Sequence, residues 1–375
     1  MKKMAILSIA MMFLLSACAP KFGQEEVVQQ KDNKQQKAVI PKYNISDSYY
    51  RMILPFKPSE ARGLVVEDLN TRLDVDEFET GLMRVAQDRF SPQDYLFQEG
   101  QYLDKKTIQS WLKRKSEDDK GLNPALGNKG TNEEKNTKSP IYLANILEHD
   151  YLMKNDNNKV KLGGIVLGLA LNSVHYYETE QGYPREVQIE DGVIEKEGKR
   201  LASEILSRVR QIKGLESVPI TIALFKQQPQ SAIIPGHFFA VTNVDEGSTT
   251  IDKWEKINEE YTLFPSDDAE KNHREDLMKF LNFKSDIEDF FPNYTGVIGK
   301  AFYVDDQLQQ LTVNIPMQFY GKGEVIAFTQ YVTGLVMEQF PDYITVNVYI
   351  SSVNGPESII IREAKAEQPF VHIYQ

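Results

Sequence analysis

The sequence predicts an α+β fold, with mainly antiparallel sheets and helices packed on one face, arranged as two related domains behind an export leader. Three observations carry this. Ile344, Val346, Val348 and Ile350 alternate with Tyr343, Thr345, Asn347 and Tyr349, the period of two that marks a half-buried strand. Two strand-like runs, residues 297–304 and 308–319, precede a helical segment over residues 324–340, so a helix is laid over strands that stay together. The glycine-rich turn that a doubly wound nucleotide fold places after its first strand is missing.

The elements follow in chain order. Met1, Lys2 and Lys3 supply a short positive region, and residues 4–15 an almost unbroken apolar run, the pattern of a secretory signal. As a helix, such a run rises only ~18 Å, short of the ~30 Å hydrocarbon core, so a bare membrane span is the weaker reading. Leu15, Ser16, Ala17 and Cys18 then form a lipobox: a branched apolar residue, two small residues and a thiol. Cys18 is the only cysteine of the 375 residues, which excludes an internal disulfide and fits acylation. Two chains of the palmitate type on Cys18 are enough for stable anchoring. The expected location is the extracytoplasmic face of the cell membrane. The expected partners in maturation are lipoprotein diacylglyceryl transferase and lipoprotein signal peptidase. The organisation read from this is a leader over residues 1–17, a lipid anchor and flexible tether over 18–42, an N-terminal α+β domain over 43–195 and a C-terminal one over 196–375.

The tether is polar, with Gln24, Glu25, Glu26 and the run 29–37, too poor in apolar surface to offset the entropy of ordering. Residues 49–56 read as a strand. Asp74, followed three residues later by Glu77, resembles a capping box, and Phe78, Leu82, Val85 and Phe90 give one apolar stripe, so a helix is expected over about residues 75–88. A short helix over residues 105–112 leads into a charged stretch, 113–140, expected to be a mobile surface loop. The run Leu-Gly-Gly-Ile-Val-Leu-Gly-Leu-Ala-Leu at 162–171 is too short to cross a bilayer, and its glycines fit either a helix packed close to a neighbour or a cradle for a ligand. Charged residues over 190–199 suggest the domain boundary. Leu201, Ile205, Val209 and Ile212 then mark a helix, and residues 218–225, 236–244, 359–361 and 371–374 read as strands.

Acidic residues outnumber basic ones by 54 to 43, a net charge of −11, which excludes the concentrated Lys and Arg that nucleic acid requires. No cofactor is expected. The sequence holds no His-Glu-x-x-His and no Gly-x-Ser-x-Gly, and the five histidines, at 149, 175, 237, 273 and 372, do not share a helical face. His237 begins a strand within Pro235-Gly236-His237-Phe238-Phe239, and Asp245 and Glu246 follow the same strand. Those three either form a general base with its carboxylates or are solvent-facing strand ends. Acid pairs such as Asp118 with Asp119 and Asp305 with Asp306 lack the order of a calcium loop. Tyrosines and phenylalanines lining a groove for a peptide, a glycan or a lipid are the alternative to catalysis. The mature body therefore reads as a binding or structural module for a peptide, glycan or envelope protein rather than an enzyme. The alternative is a cell-envelope hydrolase using His237 and nearby carboxylates.

The lipoprotein leader, residues 162–177, the segment 234–244 around Pro235-Gly236-His237, and residues 295–319 together resemble the CamS family of pheromone-precursor lipoproteins from staphylococci, bacilli and their relatives. The resemblance covers nearly the whole chain. It implies that the trimmed end of the cleaved leader, here Met11, Met12, Phe13, Leu14, Leu15, Ser16 and Ala17, is released as a short apolar pheromone-like peptide. The family's peptide begins with Ala and Ile and ends in two alanines, and residues 11–17 depart from it at several places.

Overall fold

The computed structural model describes residues 24–31, 34–42, 44–46, 49–291 and 296–375. Cys18, the lipobox and the pheromone segment lie outside these residues. Two sheets carry the fold, with antiparallel and parallel pairs in both.

The first sheet runs, by hydrogen-bonded order, from β3 (Arg51–Met52) through β4 (Tyr95–Glu99), β5 (Leu143–Lys154), β6 (Lys159–Asn172), β9 (Ile220–Gln227) and β10 (His237–Val244) to β11 (Glu255–Lys256), and β1 (Gln24–Lys31), paired with β2 (Lys34–Pro41), joins it off this path at β6. A small hairpin of β7 (Val174–Glu178) and β8 (Pro184–Gln188) stands apart. Strand β6 is its centre, antiparallel to β5 and parallel to β9. On one side of the sheet, Ile165, Leu167, Leu169 and Leu171 pack against helix α5 (Asp191–Val209), and on the other Val166 and Ala170 pack against α2 (Arg72–Ala86). Burial on both faces explains the unbroken apolar run at 162–171 and corrects its reading as a helix. Close packing is nevertheless what its glycines provide: a Cβ on Gly168 would lie 2.8 Å from the Phe78 ring, and one on Gly164 2.5 Å from Phe90.

Three further expectations are corrected. The flexible tether ends early, because β1 and β2 form a hairpin that joins β6 at Val28 and Gln29. Val27, Ala38 and Ile40, scattered among polar residues, fall on one side and pack with Ile53, Leu96, Leu152 and Val160. The domain boundary at 195/196 falls inside α5, where Glu195 and Lys199 are an exposed ion pair at i, i+4. The chain passes between the sheets only after Lys256. The stretch 113–140 is ordered by polar side chains around one buried apolar anchor, Leu122. Asn123 donates to the Leu112 and Leu143 carbonyls, Arg114 donates to those of Pro124 and Ser139, and a Thr131–Glu134 capping box starts α4 (Asn132–Lys138). The remaining helices of this half are α1 (Arg62–Asp68) and α3 (Lys105–Leu112).

The second sheet takes its strands in chain order: β12 (Glu259–Phe264), β13 (Ile298–Val304), β14 (Gln307–Pro316), β15 (Thr345–Ser352), β16 (Gly355–Arg362) and β17 (Phe370–Ile373). Only β14 and β15 are parallel in it, joined by α8 (Lys322–Gln339); α6 (Asp267–Asn272) and α7 (Arg274–Phe290) lie between β12 and β13. Inward residues of the strands, among them Ala301, Leu311, Val313, Val346 and Val348, pack on Phe280 and Phe283 of α7 and on Phe328 and Val332 of α8. Arg362 is buried beneath α8 and donates to the carbonyls of Val336 and Phe340, both at 3.0 Å, closing the helix C-terminus. All helices of this half cover one face, so none of them covers the other.

Candidate functional site

The helix expected over 75–88 begins earlier. Thr71 is its N-cap, accepting from the Asp74 amide at 3.0 Å, and Asp74 itself is buried. Helix α2 then points Glu77, Thr80, Arg84 and Gln87, spaced three or four apart, towards the second sheet. The sheet answers with Tyr261 of β12, Lys300 and Phe302 of β13, and Gln310 and Thr312 of β14. Tyr261 is paired with Phe302, Phe302 with Gln310 and Lys300 with Thr312, so these five share the face turned away from α7 and α8. With Tyr49 they enclose a cleft of about 520 Å³.

One ion cluster closes the cleft at its base. Arg84 donates to Glu77 at 2.6 Å and to both oxygens of Glu259, at 2.9 and 2.7 Å, while the Tyr261 hydroxyl donates to the second oxygen of Glu77 at 2.6 Å. Burial works against the Arg84 charge, but Glu259 and Glu77 outweigh it and hold its pKa above the ordinary value. Burial, reinforced by Glu77, likewise pushes the Tyr261 phenol up. The guanidinium carbon lies 4.8 Å from the Phe302 ring centre, and Lys300 sits 5.5 Å from that of Tyr261. Among the described residues Lys300 has no carboxylate partner. The cleft thus presents rings, amides, hydroxyls, the Asp76 and Glu77 carboxylates and the Lys300 ammonium, the makings of a binding site.

The sequence-derived candidates are not brought together. His237 opens β10 and lines a separate cavity of about 390 Å³ with Lys199, Lys226 and Trp254, where burial and then Lys226 lower its pKa. Asp245 and Glu246 follow the far end of that eight-residue strand, roughly 25 Å away at ~3.3 Å per residue. Asp245 is exposed and pairs with Arg89 at 3.1 Å. The local geometry at His237 serves another purpose. Asp74 accepts from the Gly236 amide at 2.7 Å and the Gln228 amide at 3.2 Å, and a Cβ on Gly236 would collide with the Lys226 carbonyl oxygen. Among the described residues no group of His, Cys, Asp and Glu is arranged to hold a metal ion.

The family model described as CamS sex pheromone cAM373 precursor matches residues 56–368. The chain belongs to the CamS family. A crystal structure of the sex pheromone precursor from Lactobacillus salivarius subsp. salivarius UCC118 is 33% identical, with a TM-score of 0.81, and the match covers 89% of this chain and 98% of that one. The C-terminal domain of the sex pheromone staph-cAM373 precursor from Staphylococcus aureus is 32% identical, with a TM-score of 0.71, over 82% of this chain and 99% of that one. No curated protein matches the chain.

Within this CamS-family chain every cleft residue except Tyr49 lies inside the matched span, whereas the lipobox precedes it. Sequence reasoning did not single out the cleft residues. Strand β13 was legible, and its alternation already set Lys300 and Phe302 opposite Ala301 and Tyr303; what it lacked was the helix, some 200 positions earlier, that makes a wall above them.

Proposed function

We propose that the chain is a lipid-anchored, extracytoplasmic pheromone precursor whose cleaved leader yields residues 11–17 and whose body is a non-enzymatic binding module using the cleft between α2 and the second sheet. Membership of the CamS family over residues 56–368 carries this reading, since two solved relatives are themselves described as sex pheromone precursors. The Leu15-Ser16-Ala17-Cys18 lipobox supplies the anchor, with the transferase and the signal peptidase as maturation partners. Among the described residues no helix is long and apolar enough to cross a membrane. The two sheets read as two α+β domains.

Labelling cells with palmitate tests the anchor. Label is expected on the wild-type chain and absent from Cys18→Ala; label on the variant, or none on the wild type, contradicts it. A synthetic peptide of residues 11–17 that elicits no response in any pheromone-responsive strain removes the leader's part of the proposal alone.

A further inference from the structure

The second sheet's own helices cover one face only; α2 stands over part of the opposite face near β12 and β13, and beyond it two rows of that face are unlike the chain in composition. Reading across β13 to β17 by strand register, one row is Lys300, Thr312, Asn347, Ile361 and Phe370. The next is Ile298, Asn314, Tyr349, Ile359 and His372. Ile298, Tyr349 and Phe370 are 50%, 43% and 61% exposed. Neither row contains a carboxylate, although the chain carries a net charge of −11. The first row starts inside the cleft, because Lys300 and Thr312 line both.

We propose that this face binds an uncharged glycan chain, which enters beside α2 and lies across β13 to β17. This deepens the binding-module reading and rests on it, but not on the lipid anchor. The chemistry selects the ligand. Amides and hydroxyls both donate and accept, as sugar hydroxyls do, and they are interleaved with rings and branched side chains that take the apolar C–H faces of pyranose rings. A lipid or an amphipathic helix asks for a continuous apolar stripe, which Thr312, Asn314 and Asn347 interrupt. An added peptide strand needs an open sheet edge; the backbones of β13 to β16 are paired on both sides, and a strand added at the outer edge of β17 would run along that edge and not across the rows. Polyanions such as nucleic acid need more than one lysine. Four steps between strands at ~4.8 Å give a track of about 19 Å, room for several sugar units.

Titrating the full-length chain in detergent with chitohexaose and cellohexaose, both uncharged, tests the proposal beside hexagalacturonate and an extended Ser/Thr octapeptide. At least one uncharged hexasaccharide is expected to bind, with an affinity unchanged between low and high salt. Tyr349→Ala and Phe370→Ala should each weaken that binding about tenfold. Tyr320→Ala, at a more exposed tyrosine between β14 and α8 that belongs to neither row, should leave it unchanged. Binding of neither hexasaccharide, binding of hexagalacturonate alone, or undiminished binding in both face variants overturns the inference. Binding of the octapeptide instead overturns the glycan and keeps a binding module, and palmitate labelling is untouched by any of these outcomes.

Discussion

Arg84 of α2 and Glu259 of β12, 175 residues apart in sequence, meet through two hydrogen bonds of 2.9 and 2.7 Å at the seam between the two sheets. The same guanidinium also holds Glu77, so one cation neutralises two buried carboxylates. Such an arrangement contributes little net energy when intact, because desolvation offsets attraction, but removing the shared partner strands two charges.

Arg84→Ala is therefore expected to destabilise the fold by about 3 kcal/mol, the lower end of the range for broken buried pairs, because Arg84 is itself about a third exposed. Arg84→Met combined with Glu77→Gln and Glu259→Gln should recover most of the loss. Urea unfolding measures both. A single variant within about 0.5 kcal/mol of wild type would show that the seam does not depend on this cluster.

Gly236→Ala should cost about 2–3 kcal/mol by overpacking, since its Cβ would meet the Lys226 carbonyl, the Phe225 ring at 2.9 Å and the Asp74 carboxylate at 3.0 Å. Gly127→Ala, where nothing lies within 4 Å, serves as the control and should stay within about 0.5 kcal/mol. Equal effects of the two would mean that the approach of β10 to β9 is looser than described.

His149 is buried edge-on against Phe97 with its Nδ1 unpartnered, and burial pulls its pKa down to about 3. The unfolded chain takes up the proton near the ordinary value of ~6.5, so stability is full above that pH and declines as pH falls towards 3, by about 1.4 kcal/mol per unit. His149→Leu should flatten the stability profile by about that slope between pH 4 and 6.5. His175, drawn down to about 4 by burial and Arg114, acts in the same direction and leaves a residual slope in the variant. A variant profile parallel to wild type would contradict a buried neutral imidazole.

The hairpin that replaces the expected tether has a direct readout in amide exchange. The Val28 amide donates to the Asn158 carbonyl and the Val39 amide to that of Leu54, each at 2.8 Å. Both should exchange far more slowly than free chain, and Val27→Asp should release them together. Exchange at unstructured rates in the wild type would restore the tether as first read.

Legibility in the sequence follows how local each cause is. Strand β15 could be read because Val346, Val348 and Ile350 alternate with residues that face solvent, and α8 because its apolar residues lie over that sheet alone. Strand β6 was misread because burial on both faces erases the alternation. The hairpin was missed because Val27, Ala38 and Ile40 look like scatter until Leu96 and Leu152 lie beneath them. The cleft was least legible, since no feature near Arg84 announces Glu259. His237, Asp245 and Glu246 stood out in the sequence by proximity along the chain, which a strand converts into distance.

The most direct test of the account is the intact mass of the mature chain purified from membranes. A chain beginning at Cys18 and carrying a diacylglyceryl adduct is the predicted result, with residues 1–17 removed. A mature chain that begins at any other residue, or that begins at Cys18 with an unmodified thiol, would contradict it.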